Sequence, residues 1–331
     1  MKAMLLEEYG AQYAFVEHDI PMPEPEPDEV LIRVAGTSLN PIDNKIATLG
    51  GALAFAPELP ALLGADVSGT VEAVGAEVTR FKAGERVFGC AGGIKGMPGS
   101  LAEYMVADER LLAHAPKCMD LADAGAIPLV ATTAWLGLFD KAGLKAGERL
   151  LVNGGTGGVG HMAVQLGVHA GAEVFATVSS PDKGAVVEAL GGTPIDYRET
   201  AVDDYVREYA SGEGFDVVFD TVGGPVLDNS FKAARTGGRV VSTNTRSSHD
   251  LSPLHAGGLS LHVVFMLLPL LKGRGRARHG EILEKVAALV DDDALAVLLD
   301  ACRFDFRDIA QAHRYWEGGR ALGKIGVAVS G

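Results

Sequence analysis

The sequence predicts an α/β protein built in two parts, and three observations carry that expectation. Between Arg149 and Thr243, short apolar runs alternate with helix-length stretches, the pattern of βαβ units on a parallel sheet covered on both faces. A glycine-rich segment, Asn153–Gly160 (NGGTGGVG), joins the first of those apolar runs to the helical stretch after it. Upstream of Cys118 the spacing changes to two-residue alternation, the signature of half-buried strands. A chain of 331 residues also suits two domains at roughly 150 residues each.

The elements follow in order. Glu29–Ser38 (EVLIRVAGTS) sets Val30, Ile32 and Val34 against Leu31, Arg33 and Ala35, a strand with one face more buried. Asp66–Gly75 (DVSGTVEAVG) does the same, with glycines at the bends of a small barrel. Pro21, Pro23, Pro25 and Pro27 make a stiff surface connector. Asp120–Lys141 reads as helical, with Asp120 as cap and Pro128 as a kink or boundary. Then come a strand at Arg149–Asn153, a helix at Gly158–Ala170, a strand at Glu173–Val178 and a helix at Pro181–Leu190. Pro181 sits near the first turn of that helix, where a missing N–H costs nothing. Ile195–Tyr197, Phe215–Asp220 and Arg239–Thr243 are further strands, and Thr200–Ala210 a further helix. Helices at Glu281–Asp291 and Asp308–Glu317 and a strand at Lys324–Val329 close the chain. Leu259–Phe265 (LSLHVVF) reads as a strand that either pairs between subunits or is buried within one chain.

Composition excludes several functions. Lys and Arg total 29 against 43 Asp and Glu, a net charge of −14, which offers a nucleic-acid backbone no footprint. With 47% hydrophobic and 22% charged residues, the chain can bury a core and is not disordered. Cys90, Cys118 and Cys302 are far apart and suggest buried or partly buried thiols in a reducing compartment. The start, MKAMLLEEYG, lacks the apolar core of a signal peptide. The longest apolar stretch, Leu259–Leu271, is broken by Ser260, His262 and Pro269 and is too short to span a bilayer. The expected location is therefore the cytoplasm. Glycine is in excess, at 43 residues, which calls for tight turns and close backbone approaches.

The glycine-rich segment carries the functional expectation. Gly155, Gly157 and Gly160 satisfy G-x-G-x-x-G after a strand and at a helix start, the context of a dinucleotide-binding turn. In such a turn the first glycine allows the bend, the second lets a pyrophosphate approach, and the third lets helix and strand pack. The helix N-terminus supplies free N–H groups. NAD enzymes place a carboxylate at the tip of the second strand, about 20 residues on. Here that strand ends at Ser179 and Ser180, with Lys183 beyond, so a 2′-phosphate is favoured and the expected cofactor is NADP(H). Ser180 also suits a helix cap. Gly318–Ile325 (GGRALGKI) ends in Ile rather than Ser or Thr and is not a P-loop. His161, Gln165 and His169 are expected on a solvated helix face, and Lys272, Arg274, Arg276 and Arg278 in a solvated loop.

The order of parts, with Asn40-Pro41-Ile42-Asp43, Leu63–Gly75 (LLGADVSGTVEAVG), Lys145–Gly160 (KAGERLLVNGGTGGVG), Asp220–Gly224 (DTVGG) and Gly323-Lys324, resembles the medium-chain dehydrogenase/reductase superfamily. Within it the chain looks most like the zinc-free quinone oxidoreductase branch that includes zeta-crystallin-like proteins. The resemblance spans essentially the whole sequence. It implies a GroES-like β-barrel catalytic domain from residues 1–120 and 268–331, and a Rossmann NADP(H)-binding domain from 121–267. Asn40 stands where the family's alcohol dehydrogenases have a zinc-binding cysteine, and Gly64, Ala65 and Asp66 where they have Gly-His-Glu, so no metal site is expected. Asn40 and Ile42 are implied near the nicotinamide, Thr132 near the cofactor, and Gly157, Gly158 and Val159 along the pyrophosphate. Ser179, Lys183 and Tyr197 are implied around the 2′-phosphate, with Thr245 and Lys324 completing the cofactor set. The implied reaction is hydride transfer from NADPH to a quinone, with enone or alkenal reduction and a non-enzymatic crystallin-like role as alternatives. No proton donor stands out. A small electrophilic acceptor and a homodimer are the expected partners, with no nucleic acid and no membrane.

Overall fold

The computed structural model describes residues 1–329. The chain begins with strands β1 (Lys2–Glu8), β2 (Ala14–Asp19) and β3 (Glu29–Leu39), then helix α1 (Pro41–Leu49). Strands β4 (Ala61–Leu62), β5 (Asp66–Val74), β6 (Arg86–Cys90), β7 (Tyr104–Asp108) and β8 (Leu112–His114) follow. Helices α2 (Leu121–Ala124) and α3 (Pro128–Trp135) lead to β9 (Arg149–Asn153), α4 (Gly158–His169), β10 (Glu173–Val178), α5 (Pro181–Ala189), β11 (Thr193–Asp196) and α6 (Val202–Tyr209). After these come β12 (Phe215–Asp220), α7 (Pro225–Ala233), β13 (Ala234–Ser242), α8 (Ser252–Gly257) and β14 (Ser260–Val263). The chain ends with α9 (Leu268–Lys272), α10 (Ala277–Asp291), β15 (Phe304–Asp305), α11 (Ile309–Glu317) and β16 (Ile325–Ala328).

Two compact units result. The first comprises Met1–Leu129, Leu267–Asp293 and Val297 onward, and the second Val130–Met266 with Ala294–Ala296. In the first unit, β15-β16-β3-β5-β6-β8 form a sheet in that order, with β7 also paired to β3, and β2-β1-β4 form a smaller one. The long strand β3 is central: Val30, Ile32 and Val34 are buried, and Arg33 alone is exposed. Leu31 is buried too, because β3 carries packing on both faces, which two-residue alternation understated.

The second unit holds a six-stranded sheet, β11-β10-β9-β12-β13-β14, with every pairing parallel. That is the doubly wound order in which the chain reverses direction across the sheet between β9 and β12, and ligands bind beyond the strand ends at such a reversal. Leu151, Phe175, Phe215 and Val218 pack with Tyr205, Leu227 and Phe231 from the covering helices.

Several expectations change. The helix expected over 120–141 is broken, since Gly125 and Pro128 interrupt it and Leu136–Lys141 continues as a π-helical turn. Gly137 lies in that turn against Phe219, whose ring a Cβ would meet at 2.7 Å. His161 and Gln165 are buried rather than solvated. Gln165 exchanges two hydrogen bonds, each of 2.8 Å, with the backbone of Ala296, 131 residues away, a partner that helix periodicity cannot reveal. Arg276 leaves the solvated loop to pair with buried Asp108 at 2.8 Å. β14 is neither buried nor paired on both sides: it lies at the sheet edge, beside β13.

Candidate functional site

In the second unit the glycine-rich turn follows β9. Gly154, not Gly155, makes the bend, with φ of +80°. Its N–H donates to Thr177 Oγ1 at 3.0 Å, and the Gly155 N–H to the Thr177 carbonyl at 3.1 Å, which ties the turn to β10. At Gly155 a Cβ would lie 2.5 Å from Ala176 Cβ, so this glycine serves packing against the neighbouring strand. At Gly160 a Cβ would meet the Gly154 carbonyl oxygen at 2.0 Å, so only glycine lets α4 start against its own strand. Gly157 is the exposed member, with Gly158 and Val159 half-buried beside it at the start of α4. The first-turn N–H groups of a twelve-residue helix have no carbonyl within the helix to bind, and the dipole adds positive potential. The turn can therefore hold an anion of phosphate type.

At the end of β10, Lys183 Nζ donates to Ser179 Oγ at 3.3 Å, and the Lys183 N–H reaches Ser180 Oγ at 3.4 Å. Ser180 caps α5, while Ser179 and the ammonium face each other. Tyr197 follows β11, is 55% exposed, and joins the same strand ends through its N–H to the Val178 carbonyl at 3.2 Å. Ser179, Lys183 and Tyr197 are thus brought to one end of the sheet. Thr245 lies half-buried in the segment after β13. Thr132, on α3, is fully buried, and among the described residues its Oγ1 has no hydrogen-bond partner. A buried hydroxyl without a partner costs about 1–3 kcal/mol unless a ligand supplies one. The N–H groups of the glycine-rich turn, and the hydroxyl and ammonium at the neighbouring strand end, are the donor types that a phosphorylated dinucleotide would need.

The first unit carries a buried polar cluster around Asn40, which precedes α1. Asn40 Nδ2 donates to Asp66 Oδ2 at 2.8 Å, and Asn40 Oδ1 accepts from Lys324 Nζ. Lys324 Nζ also donates to the Leu39 carbonyl at 3.0 Å and lies 3.7 Å from Asp66 Oδ2. Asp66 further accepts from Ser38 Oγ at 2.7 Å and from the Leu129 N–H at 2.7 Å. Asn40, Asp66 and Lys324 are all buried, and Ile42 is half-buried. Burial pulls the Lys324 ammonium below its ordinary range, with Asp66 and Asp43 opposing that shift. Asp43 binds the Asn40 N–H at 2.9 Å through Oδ2, and burial raises its carboxyl to about 6, with the Asp66 charge adding to the rise. The Cys90 thiol is pushed well up, first by burial and then by Asp66 and Asp43. Both ends of the Asn40 amide are therefore committed inside the protein, and its orientation is fixed.

This donor set does not fit a catalytic zinc. Asp66 is already saturated by an amide, a hydroxyl, a backbone N–H and an ammonium, and a second cation would meet Lys324. Among the described residues no three His, Cys, Asp or Glu side chains gather as a metal would need. No helix among the described residues is long and apolar enough to cross a membrane. Spacing along the chain could not reveal the chemistry of Lys324, because its partner Asn40 lies 284 residues upstream.

Two family models match the chain: an alcohol dehydrogenase GroES-like domain over residues 26–117, and a zinc-binding dehydrogenase domain over 190–327. The chain is 33% identical to a 2-methylene-furan-3-one reductase of Solanum lycopersicum, over 98% of this chain and 78% of that protein. It is 32% identical to the chloroplastic NADPH-dependent alkenal/one oxidoreductase of Arabidopsis thaliana, over 99% and 79%. It is 30% identical to the quinone oxidoreductase of Homo sapiens, over 76% of each. Among solved structures, an alcohol dehydrogenase superfamily protein from Novosphingobium aromaticivorans matches over 100% of both chains, with 41% identity and a TM-score of 0.96. The chain belongs to the medium-chain dehydrogenase/reductase superfamily of oxidoreductases, in its zinc-free, quinone oxidoreductase-like branch.

Proposed function

We propose that this protein is a zinc-independent NADPH-dependent reductase that transfers hydride to a quinone. The observation that carries the cofactor choice is the Ser179–Lys183 pair at the end of β10, where an NAD enzyme would hold a carboxylate. A hydroxyl and an ammonium attract a 2′-phosphate that a carboxylate would repel. Gly155, Gly157, Gly158, Val159 and Gly160 would hold the pyrophosphate, Ser179, Lys183 and Tyr197 the 2′-phosphate, and Thr132 and Thr245 further parts of the cofactor. Asn40, Ile42 and Lys324 are the candidates for the nicotinamide and acceptor end. When bound, NADPH supplies the hydride. The protein's residues hold and orient, which suits acceptors that delocalise the incoming charge themselves.

α,β-Unsaturated ketones and alkenals are the second acceptor class. The tomato and Arabidopsis relatives, named for such substrates, favour it by their coverage of almost the whole chain. A cytoplasmic location suits the thiols of Cys90, Cys118 and Cys302, which form no disulfide. A homodimer suits the edge strand β14, which leaves Val263 and Phe265 exposed.

The test is NADPH and NADH oxidation against a panel of ortho-quinones, para-quinones and enones, with Lys183→Ala beside the wild type. Loss of a charged hydrogen bond should weaken NADPH binding by about 1.5–3 kcal/mol, roughly 10- to 150-fold, and leave NADH binding unchanged. Unaltered NADPH affinity in the variant removes Lys183 from the site. Binding without turnover on any acceptor favours the crystallin-like role. One tightly bound zinc per chain overturns zinc independence.

A further inference from the structure

The segment between β13 and α8 carries a second constellation with chemistry of its own. His249 Nδ1 lies 2.8 Å from Asp228 Oδ1, on α7, and His249 Nε2 lies 2.6 Å from Ser247 Oγ. A carboxylate only accepts, so Nδ1 carries the proton and donates to Asp228. In the neutral ring Nε2 is then the acceptor, and the Ser247 hydroxyl donates to it. The imidazole is tucked in, with its side chain 8% exposed and its ring edge-on to Phe231 at 6.2 Å, whereas Ser247 is exposed. A base oriented by a carboxylate and hydrogen-bonded to an accessible hydroxyl is the arrangement that activates a serine nucleophile.

The segment has other ties at both of its ends. Asn244 Nδ2 ties its start to the Val222 carbonyl at 2.9 Å, and Asp250 ties its end to the Ser252 N–H and Oγ at 2.9 and 2.6 Å. Among the described residues the backbone N–H groups of Ser247 and Ser248 donate to no protein acceptor.

We infer that Ser247, His249 and Asp228 form an acyl-transfer site, with Ser247 as nucleophile toward small activated esters. Ser247 Oγ bonds to the acyl carbon while its proton passes to His249 Nε2. The bond to the leaving alcohol breaks, and His249 returns the proton to it. Water, deprotonated by His249, then releases the acid and restores the hydroxyl, so the net reaction is ester plus water to acid plus alcohol. No nicotinamide cofactor takes part, and the inference stands apart from the reductase reading.

The experiment treats the full-length protein with a fluorophosphonate and, separately, with p-nitrophenyl acetate. Mass spectrometry locates the adduct, and nitrophenolate release gives the rate. The expected result is a phosphonyl or acetyl adduct on Ser247, with hydrolysis reduced at least about tenfold in Ser247→Ala and in Asp228→Asn. Ser247 is exposed, so Ser247→Ala keeps the fold, which its circular dichroism and melting temperature verify. Adducts spread over other hydroxyls, no adduct at all, or equal hydrolysis by wild type and Ser247→Ala would each overturn the inference and leave the relay as a loop tether.

Discussion

Acid should weaken this protein through His279, and the size of the effect follows from its surroundings. His279 lies on α10 with 1% of its surface exposed, and among the described residues neither ring nitrogen has a hydrogen-bond partner. Burial pushes its pKa from 6.5 down to about 4. Between those values the unfolded chain binds a proton that the folded chain refuses. Stability is therefore fully present above the unfolded value and falls as pH drops toward the folded one. At about 1.36 kcal/mol per pKa unit, moving from pH 7 to pH 5 costs about 2 kcal/mol at this residue. His279→Leu removes the titration along with two unpaired nitrogens. Urea unfolding at pH 7 and pH 5 should show the wild type losing about 2 kcal/mol more than the variant over that interval. The variant should be at least as stable at pH 7. An identical pH dependence in the two proteins, or an NMR titration placing His279 near 6.5 in the wild type, would refute the reasoning. His313 acts with the same sign, since burial lowers it to about 4. Asp43 acts against both: its carboxyl is raised to about 6, so its contribution is present below the unfolded value of 3.8 and is lost as pH rises through 6.

Three further outcomes are expected. Gly160→Ala places a methyl 2.0 Å from the Gly154 carbonyl oxygen, and the strain should cost about 1–3 kcal/mol or more, read as a lower melting temperature with loss of NADPH binding. Lys324→Met leaves the Asp66 carboxylate buried without its cation and should cost about 3–5 kcal/mol in urea unfolding, whereas a near-neutral result would refute a stabilising role for the pair. Lys183→Ala should lose NADPH affinity by the roughly 10- to 150-fold argued above, with NADH affinity unchanged, in a fluorescence titration.

Much of the second unit was legible because its signals are local. The strand Arg149–Asn153, the turn at Asn153–Gly160 and the helix after it are contiguous, and each has its own period or residue type. The Ser179–Lys183 pair was legible for the same reason, since Lys183 on the first turn of α5 follows Ser179, just before the N-cap, by only four positions. The role of each glycine was less so. G-x-G-x-x-G assigns the bend to Gly155, but the left-handed backbone belongs to Gly154, and Gly155 yields its Cβ to Ala176 on another strand.

The sequence by itself determined the α/β class, the glycine-rich strand-to-helix turn and the placing of Ser179 and Lys183 at the next strand end, because these depend on neighbours within a few residues. Tertiary structure alone decided which polar residues are internal. Lys324 reaches Asn40 and Asp66 across more than 250 residues, Gln165 pairs with the Ala296 backbone, and His249 joins Ser247 to Asp228. Most buried polar groups find their partners wherever the fold brings them, and no periodicity along the chain records that distance.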